Sequence, residues 1–180
     1  REEMINSPIP PQSIENEQAV IGCMILDDSC ILRVLTVLNA EDFYNPNHAE
    51  FFRSIVELYT DMGKVEMPLL SAKLIAAGLY ERTGGAGYLS QCVDEVVSPN
   101  SVMDYAEIVA QKSWLRKLIT ESHQTISDAY TLETPFSEFV DTVEARRLDL
   151  TREKSLRVCE SRFLKTISSI TSQAEETKAI

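Results

Sequence analysis

Residues 98–131, SPNSVMDYAEIVAQKSWLRKLITESHQTISDAYT, decide the fold. Ile108, Leu115, Ile119, Ile126 and Ala129 recur at helical steps, while Glu107, Lys112, Lys117 and Glu121 fall between them. Strand alternation would put apolar residues at every second position, so the spacing predicts one long helix. The capping cluster Ser98-Pro99-Asn100-Ser101 marks its start. Thr134-Pro135 marks its end, because proline disfavours helical dihedrals in the residue before it. A helix of this length spans about 45 Å, too long for one face of a small globule. The stretch therefore reads as an arm that joins a compact head to a second helix.

The residues before the arm divide into short helices. Residues 1–12, with Pro8, Pro10 and Pro11, read as an extended lead-in. A helix begins at Ser13, with Glu15 and Glu17 in its first turn and Ala19, Val20, Cys23, Met24 and Leu26 inward. Asp27-Asp28-Ser29 breaks it before a second helix, Cys30 to Leu38, and Phe43 and Tyr44 anchor the loop that follows. Asn47 is the expected cap of a third helix, whose inward stripe is Phe51, Phe52, Ile55, Val56, Leu58, Tyr59 and Met62 and whose stop is Gly63. Pro68 suits the first turn of a fourth, with Leu70, Leu74 and Ile75 inward. Residues 84–87, GGAG, form a turn into a fifth, Tyr88 to Val97.

Beyond Pro135, the residues Phe136, Phe139, Val140, Val143 and Leu150 predict an amphipathic helix to about Thr151. The short connection implies an antiparallel hairpin. A narrow stripe of Phe163, Leu164, Ile167 and Ile170 follows on a Ser/Thr-rich segment. The expected organisation is all-α: lead-in 1–12, compact multi-helix head 13–97, protruding hairpin 98–152 and linker segment 153–180 with an amphipathic helix.

Charge is uneven along the chain. The formal net charge is −11. Residues 1–100 carry 6 basic and 15 acidic side chains, whereas Arg146 to Lys165 holds seven basic residues against three acidic ones. An acidic head is a poor phosphate-binding surface, so any DNA contact is expected in the basic stretch. The four cysteines lack metal-ligand spacing with His48 or His123, and Cys23 and Cys92 read as small core residues. There is no signal peptide and no apolar run near the ~20 residues that span a bilayer, so a soluble, cytoplasmic protein without a membrane partner is expected. The opening at Arg1 in place of Met suggests a fragment or processed piece.

No catalytic constellation emerges. Gly63-Lys64 lacks the remainder of a phosphate-binding loop, and Gly84-Gly85-Ala86-Gly87 follows a helical pattern instead of a strand. His48 reads as a surface residue or a loop-anchoring hydrogen bonder, and Trp114 as a packing residue or contact hot spot. A two-helix arm cannot bury all of Val109, Trp114, Leu118, Phe139 and Val143 within one chain. Those five are the expected oligomer or partner interface.

Four stretches together resemble the N-terminal domain of bacterial replicative DNA helicases of the DnaB type. They are residues 11–22 (PQSIENEQAVIG), 40–48 (AEDFYNPNH), 83–89 (TGGAGYL), and 100–109 (NSVMDYAEIV) continuing into 114–119 (WLRKLI). They occur in the family's order and spacing, over about Pro10 to Val143. The chain departs from the family at residues 144–153, charged here where relatives keep an apolar, Phe-containing stretch. The resemblance implies a helical head with a hairpin, acting as the non-catalytic N-terminal collar of a hexameric, ATP-driven helicase. It implies hairpins paired between neighbouring copies, and recruitment of primase and a helicase loader. Phe163, Leu164, Ile167 and Ile170 would dock the linker on the motor of an adjacent subunit. No cofactor is expected in these residues; ATP and Mg, and most DNA contact, belong to the motor domain, which they do not include. The alternatives are the similarly shaped helicase-binding domain of a primase, a free-standing helical adaptor, and an unrecognised enzyme.

Overall fold

The computed structural model describes residues 8–152, and every regular element among them is helical. α1 (Ile14–Leu26) leads into a 3₁₀ turn (Asp28–Cys30) and the short α2 (Ile31–Leu35). α3 (Pro46–Met62), α4 (Met67–Ala76), α5 (Tyr80–Thr83) and α6 (Gly85–Asp94) complete the head. Two further 3₁₀ turns lie at Ala40–Asp42, before α3, and at Pro99–Ser101, which opens α7 (Val102–Thr131), and α8 covers residues 136–152. α8 stays helical through the charged residues 144–152. The expected linker stripe, Phe163, Leu164, Ile167 and Ile170, lies outside the described residues.

α1 is the centre of the head, packed against α3, α6 and α7. Its Val20, Ile21, Cys23 and Met24 are fully buried, together with Phe51 and Ile55 of α3, Leu70 and Leu74 of α4, and Leu89 and Cys92 of α6. Burial pushes the Cys23 thiol up to about 11 and those of Cys30 and Cys92 to about 12, as expected of small core residues. The core continues into α7 through Val102, Met103, Ala106 and Val109. It therefore crosses the expected head–hairpin division at residue 97 and ends one third of the way along α7.

Several local expectations need correction. Asn45, not Asn47, caps α3: its side chain accepts the Asn47 amide at 2.9 Å, with Pro46 at the first helical position. The expected fifth helix begins earlier, at Gly85, and α5 precedes it; Val97 lies outside it and is exposed. Leu26, Met62 and Ile75, expected inward, are more than half exposed, each at or next to the last residue of its helix. Phe43 is buried and meets the Phe52 ring at a tilt of 44° with ring centroids 5.1 Å apart, whereas Tyr44 is exposed.

Candidate functional site

Two regions of the molecule carry unusual chemistry. The first is a buried polar network inside the head. Glu17 on α1 is 1% exposed; its carboxylate accepts the Tyr44 amide at 2.7 Å and the Asn45 amide at 3.2 Å. His48 Nδ1 lies 2.7 Å from the same carboxylate, and its Nε2 lies 2.8 Å from the Tyr88 hydroxyl. A carboxylate only accepts, so Nδ1 carries the proton. In the neutral ring, Nε2 then accepts from Tyr88, whose oxygen in turn accepts the Gln18 amide at 3.1 Å. Burial holds the Tyr88 phenol above its ordinary value, and the Gln18 hydrogen bond partly offsets this. His48 is thus no surface residue: it is fully buried, and the loop-anchoring reading is the one the structure supports.

This network joins three of the stretches that carried the family resemblance, through Glu17, His48 and Tyr88. It ties α1, α3 and α6 together. Among the described residues no buried side-chain N or O lacks a partner, and no group of three His, Cys, Asp or Glu residues could hold a metal ion. No described helix is long and apolar enough to cross a membrane.

The second region is the hairpin. Arg146 of α8 donates to Asp128 of α7 at 2.7 Å and lies 3.8 Å from Glu121. Trp114 donates its indole N–H to the Leu150 carbonyl at 3.2 Å. Because 128 faces 146 while 114 faces 150, the two helices run antiparallel, as their short connection predicts. A cavity of about 260 Å³ remains in this seam, lined by Trp114, Leu118, Thr125, Arg147 and Leu150 among others.

α7 has three faces. At 100° per residue, its head-buried residues Val102, Met103, Ala106, Val109 and Ser113 share one side, and its α8-facing residues Trp114, Leu118, Glu121, Thr125 and Asp128 another. Ile108, Leu115, Ile119 and Ile126 lie on a third side, about 120° from the α8 face and about 150° from the head face. All four are exposed, at 36–53%, and Tyr130 extends the row at 88%. The stripe that identified the helix in the sequence is therefore its outward face.

The expected interface residues divide accordingly. Val109 is 1% exposed in the head core and is unavailable to a partner. Trp114, Leu118, Phe139 and Val143 are half-buried, with Trp114 and Leu118 in the hairpin's own seam. Sequence reasoning missed the outward row as a surface because spacing reveals that a stripe exists without showing what covers it.

The described residues define an all-helical protein with a compact head that encloses a buried polar network and a helical hairpin that leaves one apolar face of α7 exposed. A family model described as the DnaB-like helicase N-terminal domain matches residues 9–111. The replicative DNA helicase DnaB of Geobacillus stearothermophilus is 34% identical over 152 residues, covering 84% of this chain and 34% of that protein. DnaB of Rhodothermus marinus is 35% identical over 137 residues, 76% of this chain and 14% of its own length. The crystal structure of the N-terminal domain of DnaB helicase from Mycobacterium tuberculosis superposes with a TM-score of 0.70 at 34% identity, covering 78% of this chain and 99% of that one. A structure described as a DnaB-like replicative helicase and its interactions with primase shares the fold, with a TM-score of 0.64 at 19% identity. The chain belongs to the DnaB-like helicase N-terminal domain family. It spans about a third of the length of the first of these relatives.

Proposed function

We propose that this chain is the assembly part of a ring-shaped, cytoplasmic replicative helicase. Its hairpins pair between neighbouring copies to build an N-terminal collar in a hexamer, on which primase and a helicase loader dock. Unwinding, with ATP and Mg, is the work of a motor domain in the whole protein, as is most contact with DNA. The observation that carries this reading is the outward row Ile108, Leu115, Ile119, Ile126 and Tyr130, an apolar stripe some 33 Å long that the described residues leave uncovered. Two such rows can cover each other in an isologous contact. The family membership and the replicative helicases among the relatives support the same reading. Primase as a partner is supported by the DnaB-like helicase described with its interactions with primase.

Light scattering tests the pairing. Replacing Ile119 and Ile126 together by Asp should lower the mass to that of a monomer while circular dichroism stays helical; an unchanged mass refutes pairing through this face. The chain alone should show no ATPase, and its DNA binding should be weak, confined to Arg146–Lys165 and steeply salt-dependent. Tight, salt-resistant binding by residues 1–140 would contradict the assignment of DNA contact to the motor.

A further inference from the structure

The base of the hairpin is fastened to the head by one turn of α7. The Asp42 side chain is fully buried. Its carboxylate accepts the Ser113 hydroxyl at 2.7 Å and the Asn39 amide at 2.9 Å, and it lies 3.6 Å from the Lys117 ammonium. Arg116, between those two α7 residues, donates to the carbonyls of Asp42 and of Pro11, the latter at 2.7 Å, and sits 5.6 Å from the centre of the Tyr44 ring. Burial lowers the Arg116 guanidinium from its usual value, opposed by Glu17 and Asp42.

Ser113 is the last buried residue of α7. Beyond this turn, a groove of about 550 Å³ opens, floored by α7 and flanked by Glu41 of the head and by Arg146, Asp149 and Leu150 of α8. It is wide enough for well over ten waters. Opposite charges, Glu41 and Arg146, stand on its two sides, each now paired on its own side: Glu41 with Arg53 at 3.3 Å, Arg146 with Asp128.

We propose that Asp42, gripped by Ser113 and Lys117 and reinforced by Arg116, is a latch that sets the angle of the hairpin to the head, and that the groove is the space into which the hairpin swings when the latch opens. The latch works because a buried carboxylate that keeps all its donors has one low-energy arrangement, and loss of one donor leaves a costly unpaired group. Among the described residues α7 has no buried side chain beyond Ser113, so these polar bonds tie it to the head where it leaves the core. The latch would also set how two heads are displayed when hairpins pair; that consequence rests on the proposed pairing, whereas the latch itself acts within one chain.

The test is a distance measurement on the full chain. Spin labels are placed at Ala72→Cys on α4 and Ser137→Cys on α8, in a Cys159→Ser background, and diluted into excess unlabelled protein so that only intrachain pairs are read. The intact latch should give one narrow distance, and Asp42→Asn should broaden or shift it by several ångströms with helix content unchanged. A disulfide between Glu41→Cys and Asp149→Cys, across the groove, should form severalfold faster with Asp42→Asn than without it. An unaltered distance distribution in folded Asp42→Asn overturns the latch. Should Asp42→Asn unfold the head, Lys117→Met, at a partly exposed position, is read instead, and an unaltered distribution there overturns it equally. Hairpin pairing can fail in light scattering without changing either result.

Discussion

The head and the hairpin are both built from helices, but they close in opposite ways. In the head, α1 is enclosed by α3, α6 and α7, and its central side chains are fully buried. In the hairpin, two helices meet along one seam, with a cavity beside Trp114 and an apolar row facing solvent. A helix surrounded by neighbours can bury its whole apolar side, whereas a pair of helices always leaves surface uncovered. Among the described residues the head thus closes on itself, whereas the hairpin leaves an apolar face open, the face proposed above for pairing. α7 belongs to both regions, so it carries two apolar faces where an ordinary surface helix carries one.

Mutations should separate the two regions by the size of their effect. Phe51→Ala, at the centre of the head, should cost about 3–5 kcal/mol, read as a lowered urea midpoint. Phe136→Ala, 71% exposed in the hairpin, should stay within about 0.5 kcal/mol in the same titration. Comparable losses at both positions would erase the contrast.

Gly22→Ala should come next in severity. An added Cβ would lie 2.1 Å from the Cys92 carbonyl oxygen, where α1 and α6 cross, and backbone cannot yield cheaply. The expected loss is about 3 kcal/mol. A variant as stable as the parent by thermal melting would mean that the crossing can open without penalty.

The smallest effect concerns pH. Hydrogen bonds from Arg146 and Gln124 hold the Asp128 carboxyl below its ordinary value of 3.8. A depressed carboxyl gives stability that is present above 3.8 and is lost as pH falls through the lower folded value. Hydrogen exchange of α7 amides around Asp128 should therefore be insensitive to pH above about 5, after correction for intrinsic exchange. It should quicken only in stronger acid, and Arg146→Met should shrink that acid step to the part that the Gln124 hydrogen bond sustains. An acid step unchanged by Arg146→Met would assign it to another carboxylate.

Much of this was readable locally. Pro68 in a first turn and Gly63 at a helix stop act through backbone dihedrals within a few residues, so these helix positions could be placed without tertiary information. The errors fell at helix ends. Leu26, Met62 and Ile75 have inward-looking sequence phase but no neighbouring helix to cover them. Glu17, His48 and Tyr88 were each inside a stretch singled out from the sequence, yet their union was invisible. Residues 31 and 40 positions apart along the chain meet only after α1, α3 and α6 have packed.

The sequence by itself determined that the chain is helical, that it has an arm and which family it resembles, because periodicity, caps and motif order are properties of residues near one another in the chain. The tertiary structure decided which side of α7 is inside. Val109 and Ile108 are adjacent and similarly apolar, but α7 turns 100° between them. One enters the head core and the other faces out, because among the described residues the head and α8 cover two sides of α7 and leave the third exposed.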